Sequence, residues 1–470
     1  MRPCIRPRGL PTPRGRERLG EEAFSLGCGF WYNPYLDMKI VTLSEDDLAS
    51  GLEGLREEVS APDEELNRQV AYIVADVRRR GDEALFEYTA RFDGFTPSAE
   101  TVLVEEEEWE RACRAVPERL RNDLASAAAR IRDFHERKTL SSLAYTDNLG
   151  NELGWLVRPI ERAGIYVPGG KAAYPSTVLM TVIPAVVAGV EETVVVTPCP
   201  GGEPNPAVLA AARIAGASSV YKVGGAQAVA ALAYGTESIP RVDKIVGPGN
   251  KYVAKAKQIV YGDVDIDSIA GPSEVLIIAD GSAPPKWVAA DLLAQAEHDE
   301  DAVAVLVTTS RDYAQRVSEE VEGLLATLPR RDIAGKALSS RGRIFVVPTL
   351  AHCARVANAF APEHLEICIT DPHSLLPSIR HAGAVFLGPA STEAFGDYVA
   401  GPSHVLPTGG TARFASPLGV LDFLKFPSLI SISERGFDEL ADCVMRLAES
   451  EGLEAHALSV RVRMEGKRRS

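Results

Sequence analysis

The chain has 470 residues, 46% of them apolar, and a formal net charge of −15 at pH 7. That length allows roughly two to four domains, and the apolar share supports large buried cores. The acidic balance argues against broad nucleic-acid binding, which needs basic surface to meet phosphates. No apolar run approaches the roughly 20 residues that cross a bilayer, and the nearest, 178–190, is interrupted by Pro184.

Residues 1–37 hold six arginines and many Pro and Gly, with little periodicity. They read as a disordered or artefactual extension. A transit peptide would be Ser-rich and poor in acids, whereas this stretch has one serine and includes Glu17, Glu21 and Glu22. At Met38-Lys39-Ile40-Val41-Thr42-Leu43 the texture becomes that of an ordinary start. Residues from about 62 to 137 are helical in pattern, with Val70, Ile73, Val74 and Val77 at three- and four-residue spacing. After Trp155, short β-branched runs alternate with alanine-rich helices, and strands are expected at 163–167, 193–197, 220–223 and 244–246. The pattern restarts with strands at 275–278, 302–307, 344–347, 365–369 and 385–387. Two such series predict two parallel-sheet α/β domains. An amphipathic helix is expected over about 437–462, short for a domain and suited to an appendage. The cysteines (Cys4, Cys28, Cys113, Cys199, Cys353, Cys368 and Cys443) are scattered, with no Cys-x-x-Cys pair. They fit a reduced, cytoplasmic protein.

Neither dinucleotide nor P-loop fingerprint is present. Glycine turns do close three of the expected strands: Val167-Pro168-Gly169-Gly170, Gly224-Gly225-Ala226-Gln227 and Gly247-Pro248-Gly249-Asn250. Open α/β sheets bind ligands at strand C-termini, so the turns mark a candidate nucleotide site. Glycine is also common in ordinary βα turns.

The polar residues that carry chemistry lie in separate segments. Ala361-Pro362-Glu363-His364 sets a carboxylate beside an imidazole just before a strand, as acid–base chemistry requires. Gln295 and His298 are three apart in a helical pattern and share a face. They could bind a borderline metal such as zinc, or form a solvated helix end. Asp397 and His404 flank a Gly-Pro turn, and read alone are a surface acid and a turn histidine. Glu451 and His456 are five apart on an expected exposed helix. Ser273 precedes a strand without the elbow of a hydrolase nucleophile. His135, His352, His373 and His381 lie in mixed-charge helical contexts and are expected at the surface.

Together these segments resemble the histidinol dehydrogenase family. The resemblance runs from about 38 to 463 and rests on eight motifs in order. They are Gly164-Ile165-Tyr166-Val167-Pro168-Gly169-Gly170, Val223-Gly224-Gly225-Ala226-Gln227-Ala228, Lys244-Ile245-Val246-Gly247-Pro248-Gly249-Asn250, Ile269-Ala270-Gly271-Pro272-Ser273-Glu274, Gln295-Ala296-Glu297-His298, Ala361-Pro362-Glu363-His364, Gly396-Asp397-Tyr398 and Glu451-Gly452-Leu453-x-Ala455-His456. The resemblance implies oxidation of L-histidinol to L-histidine through the aldehyde, with two NAD and one zinc ion per subunit. It implies zinc held by Gln295, His298, Asp397 and His456, with Glu363 and His364 as the acid–base pair. Ser273, His404 and Glu451 would contact substrate alongside the zinc ligands and His364, and Tyr166, Gln227 and Asn250 would contact NAD. It implies two incomplete Rossmann-like parallel-sheet domains with small N- and C-terminal helical appendages. The expected division is 1–37 as extension, 38–61 packing with the C-terminal part, 62–165 with 273–418 as one α/β domain, 166–272 as the NAD-contacting domain, and 419–470 as an appendage exchanged in a homodimer that shares its active sites. Neither a membrane nor a nucleic acid is an expected partner. The scaffold leaves open another amino or sulfo alcohol as substrate, a non-catalytic zinc protein, or a zinc hydrolase without cofactor.

Overall fold

The strand-forming runs assemble into two parallel sheets. The computed structural model describes residues 38–44, 64–169 and 173–469. Residues 1–37 and most of 38–61 lie outside the described residues, and so does the extension expected there. In the larger sheet the strand order is Lys39–Thr42, Arg343–Val346, Val303–Thr308, Glu274–Ala279, His364–Cys368, Ala384–Leu387. In the smaller it is Ser219–Tyr221, Glu192–Val196, Arg162–Tyr166, Lys244–Val246, Asp265–Ile266. Neighbouring strands are parallel throughout both.

Parallel sheets need cover on both faces, so their central strands are apolar without alternation. Glu274–Ala279 and Val303–Thr308 are buried at every residue. Val275 and Ile277 point into one core with Leu292 and Tyr313, whereas Leu276 and Ile278 point into another with Phe360 and Leu365. The expected strands match the observed ones to within two residues.

Three parts are arranged differently from the expected division. The helices Glu64–Arg80, Asp82–Asp93, Glu106–Ala115 and Glu118–Glu136 pack on the smaller sheet, not the larger. Val70 and Val74 share a core with Val194, Val196 and Ile245, and Leu124 and Ile131 share one with Val178 and Leu179. Apolar spacing shows which face of a helix is buried, not which sheet buries it. The segment after Met38 adds an edge strand to the larger sheet, in register Lys39 with Arg343. The C-terminal part is rooted by strands as well as helices. Leu424–Lys425 pairs with Arg158–Pro159, and Ser428–Ser431 with Glu152–Trp155, both antiparallel.

The expected C-terminal helix is two helices, Glu434–Ser450 and Glu454–Arg469, packed on one another. Gly452 between them has φ 72°, a left-handed conformation that suits glycine after a helix. Ser433 caps the first helix, its Oγ accepting from the Gly436 N–H at 2.9 Å.

Among the described residues, no helix is long and apolar enough to cross a membrane. His135, expected at the surface, is only 1% exposed, and neither ring nitrogen has a hydrogen-bond partner. Burial, with a smaller contribution from Lys138, lowers its imidazole from 6.5 to about 4. Between those values the unfolded chain binds the extra proton and the folded chain does not. Stability is therefore lost as pH falls from 6.5 towards 4. His135→Phe should flatten that part of the profile, as read by urea titrations at about pH 7 and about pH 4.5. Equal acid sensitivity in the two proteins would remove His135 as its source.

Candidate active site

Glu363 and His364 sit where a helix is stopped and a strand begins. Leu350–Phe360 ends at Ala361, which has φ 52° and is the only non-glycine residue with positive φ among the described residues. This left-handed turn, uncommon for a residue with a Cβ, leads through Pro362 to Glu363 and to His364, the first residue of its strand. His364 pairs in register with Val275. The pair therefore lies at the N-terminal edge of the larger sheet, opposite in sense to the strand ends that carry the glycine turns.

Both side chains are fixed by the neighbouring strand. The Glu274 N–H donates to Glu363 Oε2 at 3.0 Å, and the Glu274 carbonyl oxygen is 3.2 Å from His364 Nδ1. The carbonyl can only accept, so Nδ1 carries the proton. Nε2 is left as a buried lone pair without a hydrogen-bond partner, 3.8 Å from Asp397 Oδ1. Burial lowers His364 to about 3, so the ring is neutral at neutral pH rather than poised at the ordinary imidazole value. Burial also raises Glu363 well above the ordinary carboxylate range, with further contributions from Glu274 and Asp397.

A cluster of donors surrounds His364. His298, Glu393 and Asp397 each offer an atom within 4.8 Å of the others. Glu393 and Asp397 are one turn apart on the short helix Glu393–Tyr398, so both carboxylates share a face. His298 lies just beyond the helix Pro285–Ala296. It is exposed, yet protein packed behind the ring lowers its pKa by desolvation. Gln295 is fully buried. With its amide nitrogen turned towards Glu393, that nitrogen donates to Glu393 Oε2 at 2.9 Å and the amide oxygen accepts from the Glu274 N–H at 2.7 Å. Burial raises Asp397 to about 6 and Glu393 well above its ordinary range, the latter assisted by Asp397, Glu363, Glu366 and Asp291. The charges that push Glu363 and Glu393 up are other carboxylates. Such a group of buried acids, with an imidazole and an amide beside it, suits a borderline divalent cation. Zinc fits the donor types of His298 and Asp397, and of Gln295 in the opposite amide orientation, with its oxygen towards Glu393.

Behind these residues lies a second layer that the sequence reading missed. Glu366 is fully buried, accepts from the Glu393 N–H at 2.8 Å, and stands against Asp291. It thereby holds the start of the helix that presents Glu393 and Asp397. Its signal in the sequence is an acid inside the apolar strand Leu365-Glu366-Ile367.

A cavity of about 660 Å³ opens onto His364, Asp397 and His404 and is walled by Phe134, Phe386 and Phe395. His404 Nε2 is 3.3 Å from Ser176 Oγ, on the helix Pro175–Ala188 of the smaller sheet, and burial lowers its imidazole to about 4. Ser273 immediately precedes Glu274, beside the acid–base pair. Glu451 and His456 are exposed in this chain, and neither joins the donor cluster. Glu451 caps the first C-terminal helix and His456 lies in the first turn of the second, so they do not lie on one helix as expected.

The second cavity, about 900 Å³, lies at the C-terminal edge of the smaller sheet and is lined by Tyr166, Gln227 and Asn250. Asn250 caps the helix Lys251–Val260 by accepting from the N–H groups of Tyr252 and Val253. The Tyr166 hydroxyl accepts from the Gly225 N–H at 3.0 Å, at the start of the helix Gly225–Tyr234. Two helix N-termini therefore face this cavity, a setting suited to phosphates. Gln227 is buried and its Oε1 lacks a partner. Gly247 has φ +113°, and a Cβ there would lie 2.1 Å from the Tyr166 carbonyl oxygen. That turn is held by Asp267 Oδ2, which accepts from the Gly247 N–H at 2.7 Å, and by Lys257 Nζ, which donates to the Gly247 carbonyl at 3.0 Å.

Comparison with known proteins places this geometry in context. A family model described as histidinol dehydrogenase matches residues 56–464. A histidinol dehydrogenase of Syntrophotalea carbinolica is 54% identical over 427 residues, covering 91% of this chain and 99% of the relative. That of Aquifex aeolicus is 53% identical over 428 residues, with the same coverage. The crystal structure of histidinol dehydrogenase from Elizabethkingia anophelis superposes with a TM-score of 0.86 at 37% identity, covering 92% of this chain and 99% of that one.

If Glu393 belongs to the cation site, Glu393→Gln should weaken zinc binding by about 10- to 100-fold, the range for a ligand or its immediate support. Competition with a chromophoric chelator measures this, and an unchanged affinity would exclude Glu393.

Proposed function

This chain belongs to the histidinol dehydrogenase family, and on that premise we propose that it oxidises L-histidinol to L-histidine in two successive steps with zinc and NAD. The reading rests on one observation above all. A neutral imidazole, His364, has an unpartnered Nε2 3.8 Å from Asp397, which lines the same cavity and shares a donor cluster with His298 and Glu393.

Gln295, His298 and Asp397 would hold the zinc, with His456 as a fourth ligand. When bound, zinc supplies a Lewis acid that fixes the imidazole and amino nitrogens of the substrate. Tyr166, Gln227 and Asn250 would hold NAD in the larger cavity, where it would supply the hydride acceptor. The remaining work falls to the chain itself. His364 Nε2 takes the alcohol proton while Nδ1 stays anchored on the Glu274 carbonyl. The aldehyde must be hydrated before a second hydride can leave its carbon. Glu363 is the group for that water, because burial makes its carboxyl hold and release a proton at higher pH than an ordinary glutamate. His364 then serves again as base. Ser273 and His404 line the way to the substrate, and His404 ties that cavity to the smaller sheet through Ser176.

His456 and Glu451 lie outside the cluster of their own chain. The helices that carry them expose Leu440, Val444, Leu447, Leu453, Leu458 and Val462. An apolar face of this kind suits a partner. Both facts support a homodimer in which His456 and Glu451 complete the site of the other subunit.

Formation of two NADH per histidinol, abolished by a chelator and restored by zinc, is the expected outcome with purified protein. A panel of other amino and sulfo alcohols should give no comparable turnover, and a better substrate among them would redirect the assignment. His364→Ala should lower kcat by about 10²- to 10⁴-fold, the range for loss of a general base. His456→Ala mixed with a Glu363→Gln/His364→Ala chain should regain activity in hybrid dimers. No recovery in hybrids confirmed by mass would count against shared sites.

A further inference from the structure

In doubly wound sheets an acid at the end of the second strand takes the hydroxyls of the adenosine ribose. Here the strand in that place is Glu192–Val196, next to Arg162–Tyr166. It runs into Thr197-Pro198-Cys199-Pro200, with no acid. The first acid beyond, Glu203, is exposed and takes no part in the cavity wall.

Another acid reaches the same place from outside the sheet. Asp93 ends the helix Asp82–Asp93 and lines the larger cavity with Pro198, Pro200, Tyr166 and Gln227. Its charge is felt by the Tyr166 hydroxyl and by the Cys199 thiol, which bracket the ends of the first and second strands. Its position is unfavourable in two respects. A carboxylate at a helix C-terminus faces the negative end of the helix dipole. Asp93 Oδ2 is also buried without a hydrogen-bond partner. Burying an acceptor without a donor costs free energy unless a ligand supplies the donor. A vicinal diol supplies two hydroxyl donors to the two carboxylate oxygens. A phosphate on the same ribose would place its negative charge against them.

Two cations, Arg68 and Arg91, share the wall of this cavity, each with a contact of its own. Arg68 is paired with Glu65 at 2.6 Å, and the Arg91 guanidinium lies over the Phe92 ring, 5.4 Å from its centroid.

We propose that Asp93 binds the adenosine-ribose diol of the dinucleotide and makes this cavity select NAD over NADP. The proposal rests on the placement of NAD in this cavity given above, and adds a residue and a specificity to it.

The test compares wild type, Asp93→Asn and Asp93→Ser, using the full-length chain. Calorimetry measures binding of ADP-ribose and of 2′-phospho-ADP-ribose, and initial rates are taken with NAD and NADP at saturating histidinol. Wild type should bind ADP-ribose and reject the 2′-phosphorylated form. Asp93→Ser should lose about 10- to 100-fold in ADP-ribose affinity, as for one or two hydrogen bonds to a charged group, and gain affinity for the 2′-phosphorylated ligand. The loss with NAD should fall on KM rather than kcat. Asp93→Asn keeps the shape of the side chain and should lie between the two, which guards against a folding defect in the serine variant. Wild-type ligand preference in both variants would overturn the role of Asp93 while leaving the cofactor reading intact. Failure of wild type to bind ADP-ribose or to turn over with NAD would overturn both.

Discussion

Five carboxyl groups, Asp291, Glu363, Glu366, Glu393 and Asp397, are gathered at the N-terminal edge of the larger sheet, and much of the site depends on how their charge is contained. Burial raises the pKa of every one, and for Glu363, Glu366 and Glu393 neighbouring carboxyls add to the effect. Two means of compensation are visible. The layer behind the site is compensated in part, with Glu366 Oε1 accepting from the Glu393 N–H beside Asp291 while Oε2 is left buried without a hydrogen-bond partner. The layer facing the cavity has donors for a cation, with His298 alongside Glu393 and Asp397. Buried acids of this kind persist where they are paired, protonated or bound to metal.

The same edge explains why a single histidine can be singled out. The chain has eight, but His364 alone has Nδ1 fixed on a buried backbone carbonyl and Nε2 aimed at the cavity without a partner. That fixes the tautomer a base requires. Burial keeps the ring unprotonated at neutral pH, and Glu274 holds Glu363 and His364 through the N–H and carbonyl groups of one residue.

Leu418, in the wall of the smaller cavity, shares a core with Ile165 and Val178 of the smaller sheet and its helix, and polar contacts run alongside. His404 reaches Ser176, and the Gly271 N–H donates to Thr408 Oγ1 at 2.6 Å. The chain leaves the smaller sheet at Asp267, whose carboxylate grips the Gly247 turn, and six residues later becomes Ser273. The turn that ends at Asn250 in the larger cavity and the loop before Glu274 are thus joined through Asp267 by one short segment. Asp93 enters from a different direction, on a helix that only tertiary packing brings against the smaller sheet.

The sequence by itself determined the elements and most of the chemical inventory. β-branched runs with glycine turns gave nine of the eleven parallel strands to within two residues, because burial on both faces leaves an apolar signature, and missed the edge strands Lys39–Thr42 and Asp265–Ile266. Motifs identified Glu363, His364, Gln295, His298 and Asp397, because each pairs a chemically active side chain with a distinctive turn or helix end. The tertiary structure decided what periodicity cannot encode. It assigned helices 64–136 to the smaller sheet, split the C-terminal helix at Gly452, buried His135, set Glu393 and Glu366 together behind Asp397, and brought Asp93 to the larger cavity. A helical stripe specifies that a face is buried, whereas the identity of the covering surface depends on contacts between residues far apart in the chain. An isolated acid such as Asp93 gains its meaning only from the cavity wall in which it stands.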